Sequence, residues 1–258
     1  VTAALPGVRA LLIDLEGTVF QHGRLVPGAG EALAAIAARG IPHAFVTNTT
    51  SRPRSVLVRE LSAMGLSVPP ERILTAPRAA NAFLERRGLR RCHFLLRPEL
   101  LEDFPNMEPA DDSADAVVLG DLGAGMTFAR LNGAFRLLLS GSELITLARN
   151  RYWRGEDGLV MDVGAFAAAL EYASGRPATL VGKPSPEFYG AALGLLGAAP
   201  EATAVVGDDL DSDVAGARAI GMRGVLVRTG KFRSEDLEAA AHRPDAILDS
   251  IADLAKLL

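Results

Sequence analysis

The 258-residue chain has one cysteine, one tryptophan and three tyrosines, and aromatic residues make up only 5% of it. A single thiol, Cys92, excludes an intrachain disulfide framework and any zinc site built from clustered cysteines. It reads as a small buried hydrophobe. His22, His43, His93 and His242 are scattered singly, without zinc-ligand spacing, and read as surface or loop residues. Neither sign of charge dominates: 27 Lys and Arg stand against 31 Asp and Glu, a formal net charge of −4. A mildly acidic chain with scattered arginines lacks the basic face that nucleic-acid binding demands. No run approaches the roughly 18–20 uncharged apolar residues that a membrane-spanning helix needs. The opening VTAALPGVRALLIDLEGT has no basic segment ahead of its apolar stretch, as a signal peptide would. The expectation is a cytoplasmic protein with neither a membrane nor a nucleic-acid partner. With 49% hydrophobic and 22% charged residues, enough apolar surface is present to offset the entropy of ordering.

Short apolar runs alternate with helical patterns. The runs are VRALLID (8–14), IPHAFVT (41–47), ATLVG (178–182), ATAVVGD (202–208) and RGVLVRT (223–229). Their lack of polar alternation predicts strands covered on both faces. Helical patterns over 30–40, 54–65, 186–197 and 212–221 each close on glycine, a common residue just past a helix end. This alternation predicts an α/β fold with a doubly wound, mostly parallel sheet. The middle adds strand candidates at 90–96 and 114–120, helices at 128–140 and 163–174, and a loop-like acidic stretch from Pro98 to Asp115. The expected organisation is a core of residues 1–77 and 179–258, with a second α/β module over 78–178 inserted as a cap.

Ligands of open α/β sheets bind beyond the carboxyl ends of the strands. The first run ends in Asp14-Leu15-Glu16-Gly17-Thr18 and the second in Thr47-Asn48. The third leads into Gly182-Lys183-Pro184, and the fourth into Gly207-Asp208-Asp209-Leu210-Asp211-Ser212-Asp213. Four strands, all read as core strands, would bring a carboxylate, a hydroxyl, an ammonium and a carboxylate cluster to one rim. Metal-assisted phosphoryl transfer requires that set. Other motifs fail. A P-loop would need Ser or Thr where Pro184 stands, and an EF-hand read from Asp209 would need Gly at Val214 and Glu at Ile220. A dinucleotide fingerprint from Gly28 would need Gly or Ala at Leu33.

The ordered set DLEGT, TN, GKP, GDDLDSD resembles the haloacid dehalogenase (HAD) superfamily of aspartate-nucleophile phosphatases. The long insertion resembles the large cap of its NagD-like group. The stretches GLVMDVGAFAAALEYASG, VGKPSPEFY and TGKFR resemble a branch acting on pyrophosphate and P–N bonds. The resemblance covers essentially the whole chain. It implies that Asp14 attacks phosphorus, and that the carboxylates of Asp14 and Asp208 and the main-chain carbonyl of Glu16 hold Mg²⁺. It further implies that Leu15, Glu16, Thr47, Asn48 and Lys183 contact the substrate together with Asp14. Lys183 would neutralise developing charge, while Asp209 and Asp213 would orient it and the water around the metal. A homodimer through the caps is also implied.

One position departs from that pattern. Two residues after the nucleophile the family usually has Asp, as general acid and base; here it is Glu16. An extra methylene moves the carboxyl by about 1.5 Å, and a misplacement of that size can cost on the order of 10²-fold in rate. Such a change penalises poor leaving groups such as alkoxides more than pyrophosphate, aryl phosphates or phosphoramidates. A different reading stays open beside the phosphohydrolase: a weakly active or non-catalytic protein with a binding or regulatory role. Transfer to an acceptor other than water would share the same first step. The stretch Arg149-Asn150-Arg151-Tyr152-Trp153-Arg154 is either a leaving-group contact or a solvated hairpin.

Overall fold

The computed structural model of the chain describes residues 5–155, 158–239 and 242–257. The chain runs first through β1 (Ala10–Asp14), the small hairpin β2 (Phe20–Gln21) and β3 (Arg24–Leu25), α1 (Ala29–Ala38), β4 (His43–Thr47), α2 (Arg54–Ala63) and β5 (Ile73–Thr75). Next come α3 (Ala76–Arg87), β6 (Arg91–Leu95), β7 (Glu108–Pro109), β8 (Ala116–Leu119), α4 (Phe128–Leu139) and β9 (Glu143–Thr146). The strands β10 (Tyr152–Gly155) and β11 (Gly158–Met161), then α5 (Val163–Ser174) and β12 (Ala178–Leu180), complete the middle. The last part holds α6 (Pro186–Leu196), β13 (Thr203–Gly207), α7 (Gly216–Ala219), β14 (Arg223–Val227), α8 (Ser234–Ala239) and β15 (Ala246–Leu248).

Two compact units result. One comprises Val1–Thr47, Arg54–Leu74 and Lys183–Leu258; the other comprises Asn48–Pro53 and Thr75–Gly182. The first is built on a six-stranded sheet of order β15-β14-β13-β1-β4-β5. All five residues of β1 are buried, because helices or loops cover both faces of a central parallel strand. Leu11, Ile13, Phe45, Val206 and Val225 share one apolar cluster with Leu33 and Ile36 of α1. Each such side chain contributes about 1.5–3 kcal/mol on burial, so the packing fixes the strand register. That register sets the chemistry. Asp14 pairs with Val46 and Ile13 with Val206, in parallel, so Asp14, Thr47 and Asp208 emerge at one edge of three adjacent strands.

The second unit has a five-stranded sheet of order β12-β9-β8-β6-β7, with parallel pairing throughout. One face packs Cys92, Val118 and Ile145 with Phe83 and Leu84 of α3. The other packs Leu95, Val117 and Leu144 with Leu138 of α4 and Leu170 of α5. Helix α3 has its start signals in Thr75, whose hydroxyl accepts from the Arg78 amide at 3.3 Å, and in Pro77 in the first turn.

Several expectations change here. The run 178–182 is not a core strand: β12 pairs with β9, Ala178 opposite Leu144, and belongs to the second sheet. A three-residue apolar strand carries nothing local that chooses between two sheets; only the long-range pairing does. The helix expected over 212–221 begins as a turn of π-helix, Leu210–Ala215, and only Gly216–Ala219 is α-helical. His43 and His93 lie half-buried in β4 and β6 rather than in surface loops. Cys92 is buried, and burial pushes its thiol up to about 12, so it stays an inert thiol. The Arg149–Arg154 stretch enters an antiparallel hairpin, β10 with β11, on which Tyr152 and Trp153 are exposed. The side chain of Arg154 lies outside the described residues. No helix among the described residues is long and apolar enough to cross a membrane.

Candidate active site

At the carboxyl edge of the six-stranded sheet a buried lysine meets a group of buried carboxylates. Lys183 Nζ donates to Asp14 Oδ1 at 2.5 Å and to Asp213 Oδ1 at 2.7 Å, and all three side chains are almost fully buried. Asp14 ends β1, while Lys183 arrives on the segment that follows β12 and precedes α6. Ser185 caps α6 by accepting from the Phe188 amide at 3.2 Å. Asp213 lies on the π-helical turn. That turn starts where Asp209 Oδ1 accepts from the amides of Asp211 and Ser212, at 3.1 and 2.9 Å. Such widened turns recur at functional sites. Here the wide turn lets Asp213 fold back, so that its Oδ1 meets Lys183 while its Oδ2 accepts from the Asp209 amide at 3.2 Å. The Tyr189 hydroxyl donates to the Ser212 carbonyl at 2.6 Å, tying α6 to the same turn.

Asp208 is held from another side. Its Oδ2 accepts from the Lys231 amide at 2.6 Å, on the loop that leaves β14. The Thr229 hydroxyl on that loop donates to the Gly17 carbonyl at 2.5 Å, joining it to the loop after β1. Gly17 and Gly230 both have positive φ, and a Cβ on either would collide with Asp208 Oδ2. Only glycine permits both the backbone conformation and this approach. Sequence reasoning had not placed residues 229–231 in the site. The signal was present: Thr-Gly-Lys follows an apolar run at the same edge as the other motifs.

One ammonium against three buried carboxylates leaves an excess of negative charge. Burial pushes the Asp14 carboxyl up to about 6, with Lys183 opposing and Asp208 adding to the rise. Burial and then Asp213 push Asp208 up to about 6. Burial takes Asp213 to about 7 against the pull of Lys183. Burial alone would lower Lys183, but Asp14 and Asp213 hold it well above its ordinary value. Asp209 goes the other way: despite burial, the amide of Ser212 and the charge of Lys231 hold it below the usual carboxylate range.

These residues fit a hard divalent cation. Ligand atoms of Asp14, Asp208 and Asp213 all lie within 4.8 Å of one another. Asp14 Oδ2 is buried without a hydrogen-bond partner, a costly state that a cation would relieve. An all-oxygen donor set suits Mg²⁺-type ions rather than zinc.

The remaining expected residues fall as follows. Thr47 is buried at the end of β4, beside Asp14. Leu15 is fully buried in the apolar core, so only its main chain is available to a ligand. Glu16 is exposed, immediately beyond the buried nucleophile candidate. Asn48 belongs to the second unit, where its side chain lies against Gly182.

Known proteins share this arrangement of chain. A family model described as haloacid dehalogenase-like hydrolase matches residues 11–108, and a second HAD-hydrolase-like model matches 180–254. Phospholysine phosphohistidine inorganic pyrophosphate phosphatase of Xenopus laevis is 36% identical over 98% of this chain and 95% of its own. The structure of 4-nitrophenylphosphatase from Thermotoga maritima superposes with a TM-score of 0.91 at 31% identity, covering 98% of this chain and 99% of that one. NagD from Escherichia coli K-12 gives a TM-score of 0.87 at 27% identity, covering 95% and 98%.

The raised carboxyls carry a testable sign. Between about pH 4 and 7 the folded metal-free protein holds protons that the unfolded chain, with carboxyl pKa values near 3.8, has released. Metal-free stability therefore falls as pH rises through that window. A divalent cation held by these carboxylates would bind their ionised form and reverse the loss. Thermal melts with and without Mg²⁺ should show little stabilisation at pH 5, increasing to a plateau above about pH 7.

Proposed function

The chain belongs to the haloacid dehalogenase-like hydrolases, and from that premise we propose that it is a Mg²⁺-dependent phosphohydrolase working through an aspartyl-phosphate on Asp14. The observation that carries this reading is the state of Asp14. One of its oxygens is held by Lys183, and the other is buried with no donor at all. A carboxylate so placed is prepared to meet an electrophile or a cation, and has no structural duty that would explain the unpartnered oxygen.

In the proposed reaction an Asp14 oxygen attacks phosphorus. A new O–P bond forms as the bond to the leaving group breaks, and the leaving group takes the electron pair. Water then attacks the aspartyl-phosphate, returning Asp14 and releasing phosphate. Mg²⁺, held by Asp14, Asp208 and the main-chain carbonyl of Glu16, would neutralise phosphoryl charge when bound. Asp213 serves Lys183 rather than the metal, since both of its oxygens already have donors. Lys183 offsets the charge developing on the phosphoryl oxygens. Thr47 and the amides of the 15–16 segment bind those oxygens, with Asn48 beside them in sequence. Asp209 anchors the turn that carries Asp213.

Substrate class follows from Glu16. A carboxyl one methylene longer than the family's usual Asp serves poorly as acid for an alkoxide and suffices for leaving groups that depart readily. Pyrophosphate, phospholysine, phosphohistidine and aryl phosphates form that class. The relatives named for pyrophosphate and for 4-nitrophenyl phosphate support the same assignment. The segment 78–178 is assigned the part of the cap that selects the leaving group.

Phosphate release should depend on Mg²⁺, be fastest on pyrophosphate, P–N compounds and aryl phosphates, and fall at least about 10³-fold in Asp14→Asn. Comparable or better turnover of sugar or nucleotide monophosphates would overturn the substrate class. Folded, Mg²⁺-bound wild type that releases nothing would favour a binding or regulatory protein. Glu16→Asp should raise turnover of alkyl phosphates by about tenfold or more. A homodimer is also proposed, on the apolar surface of one hairpin: Leu159 and Met161 are 63% and 65% exposed there. Sedimentation of wild type should give a dimer, and Met161→Glu should shift it toward monomer.

A further inference from the structure

We propose that Lys231 is a specificity-determining residue: its ammonium binds the anionic leaving group, which favours phosphoanhydrides over substrates whose departing group carries no charge of its own. The inference rests on the phosphohydrolase reading and extends it to a residue outside the four motifs.

Two lysines serve the acidic cluster, and they differ in how committed they are. Lys183 is buried and bonded to Asp14 and Asp213. Lys231 is the opposite case. Its main chain is fixed inside the site, where its amide donates to Asp208 Oδ2 and the preceding Thr229 ties the loop to Gly17. Its side chain is 71% exposed, with the ammonium 3.5 Å from Asp209 Oδ2, at the outer limit of a hydrogen bond. Exposed pairs of this kind are weak. Asp209 keeps donors without it, because the amides of Asp211 and Ser212 already serve its other oxygen. Lys231 is therefore a cation with a pinned base and a transferable head. Its charge is felt across the site, lowering the carboxyls of Asp14, Asp208 and Asp209 against their burial.

The chemistry needs such a group. When Asp14 attacks one phosphorus of pyrophosphate, the bridging P–O bond breaks and the second phosphate leaves with the electron pair. That second phosphate brings its own negative charges up to Asp14, Asp208, Asp209 and Asp213 before any bond has broken. Lys183 is engaged with the nucleophile and Asp213. Lys231 can exchange its 3.5 Å contact with Asp209 for a phosphate oxygen, one anionic partner for another. The aryloxy group of an aryl phosphate carries no charge in the ground state, and the charge it takes on leaving is spread into the ring, so it gains less from the ammonium.

The test compares wild type, Lys231→Met and Lys231→Arg on pyrophosphate and on 4-nitrophenyl phosphate at saturating Mg²⁺. A charged hydrogen bond to phosphate corresponds to about tenfold or more in affinity. Lys231→Met should lose that factor in kcat/KM on pyrophosphate, mainly through KM, and stay within about threefold on the aryl ester. Lys231→Arg should recover most of the loss. Calorimetry without turnover gives an independent reading: methylenediphosphonate should bind Lys231→Met about tenfold more weakly than wild type, and phenylphosphonate about equally. Mg²⁺ should bind Lys231→Met at least as tightly as wild type, since the Lys231 amide remains and a competing positive charge is gone. Equal losses on both substrates and both phosphonates, or no loss on the diphosphonate, would overturn the assignment. Failure of wild type to hydrolyse either substrate would instead count against the phosphohydrolase reading, while the calorimetric arm still decides the role of Lys231.

Discussion

The constraint on which the site depends is charge balance in a buried place. Four aspartates, Asp14, Asp208, Asp209 and Asp213, converge at the edge of one sheet, and Lys183 is the buried cation among them. Taking carboxylates out of water is expensive unless each finds donors or counter-charge. The fold meets this demand unequally. Asp209 is served by two amides and is held below the usual carboxylate range, whereas Asp14, Asp208 and Asp213 are pushed toward neutral pH. The unequal treatment separates the aspartate that shapes a turn from those left with unspent charge. A divalent cation would complete the balance: four carboxylates against two lysines and two further positive charges.

Much of the architecture serves to bear that strain. The π-helical turn, the Ser185 cap and the Tyr189 hydroxyl fix the two segments that carry Asp213 and Lys183. Gly17 and Gly230 let two loops close on Asp208. None of these groups need touch a substrate. Their effect is to remove freedom from the ones that would, which is how preorganised electrostatics is obtained without cost at the moment of reaction.

What could be read in the sequence divides along the same physical line. The strands β1, β4 and β13 were legible because a strand buried on both faces must be apolar throughout, so its end is marked by the first polar residue. That rule puts Asp14, Thr47 and Asp208 at strand ends from the sequence pattern alone. It misled at 178–182, where a strand as short as β12 looks the same whichever sheet it joins, and it gave Lys183 the wrong route into the site. The widening of the 210–215 turn was not legible either, because it depends on where Asp213 finds its cation, a contact spanning 30 residues. Nor was the hold of the 229–231 loop on Asp208, which is made by a main-chain amide and leaves no side-chain signature.

The role of Glu16 shows why geometry must be followed through to chemistry. A longer acid two residues after the proposed nucleophile would be a defect in a general phosphatase, since proton delivery to an alkoxide tolerates little displacement. It ceases to be one if the departing group is already a good anion. The burden then shifts from supplying a proton to accommodating charge, and the demand moves from a carboxyl at position 16 to a cation near the leaving group. An exposed lysine with a fixed backbone and a loosely held ammonium answers that demand, and Lys231 has both properties. The departure at Glu16 and the presence of Lys231 thus meet on pyrophosphate for different reasons: one lessens the site's fitness for alkoxides, and the other singles out, among the readily departing groups that remain, those that are already anionic.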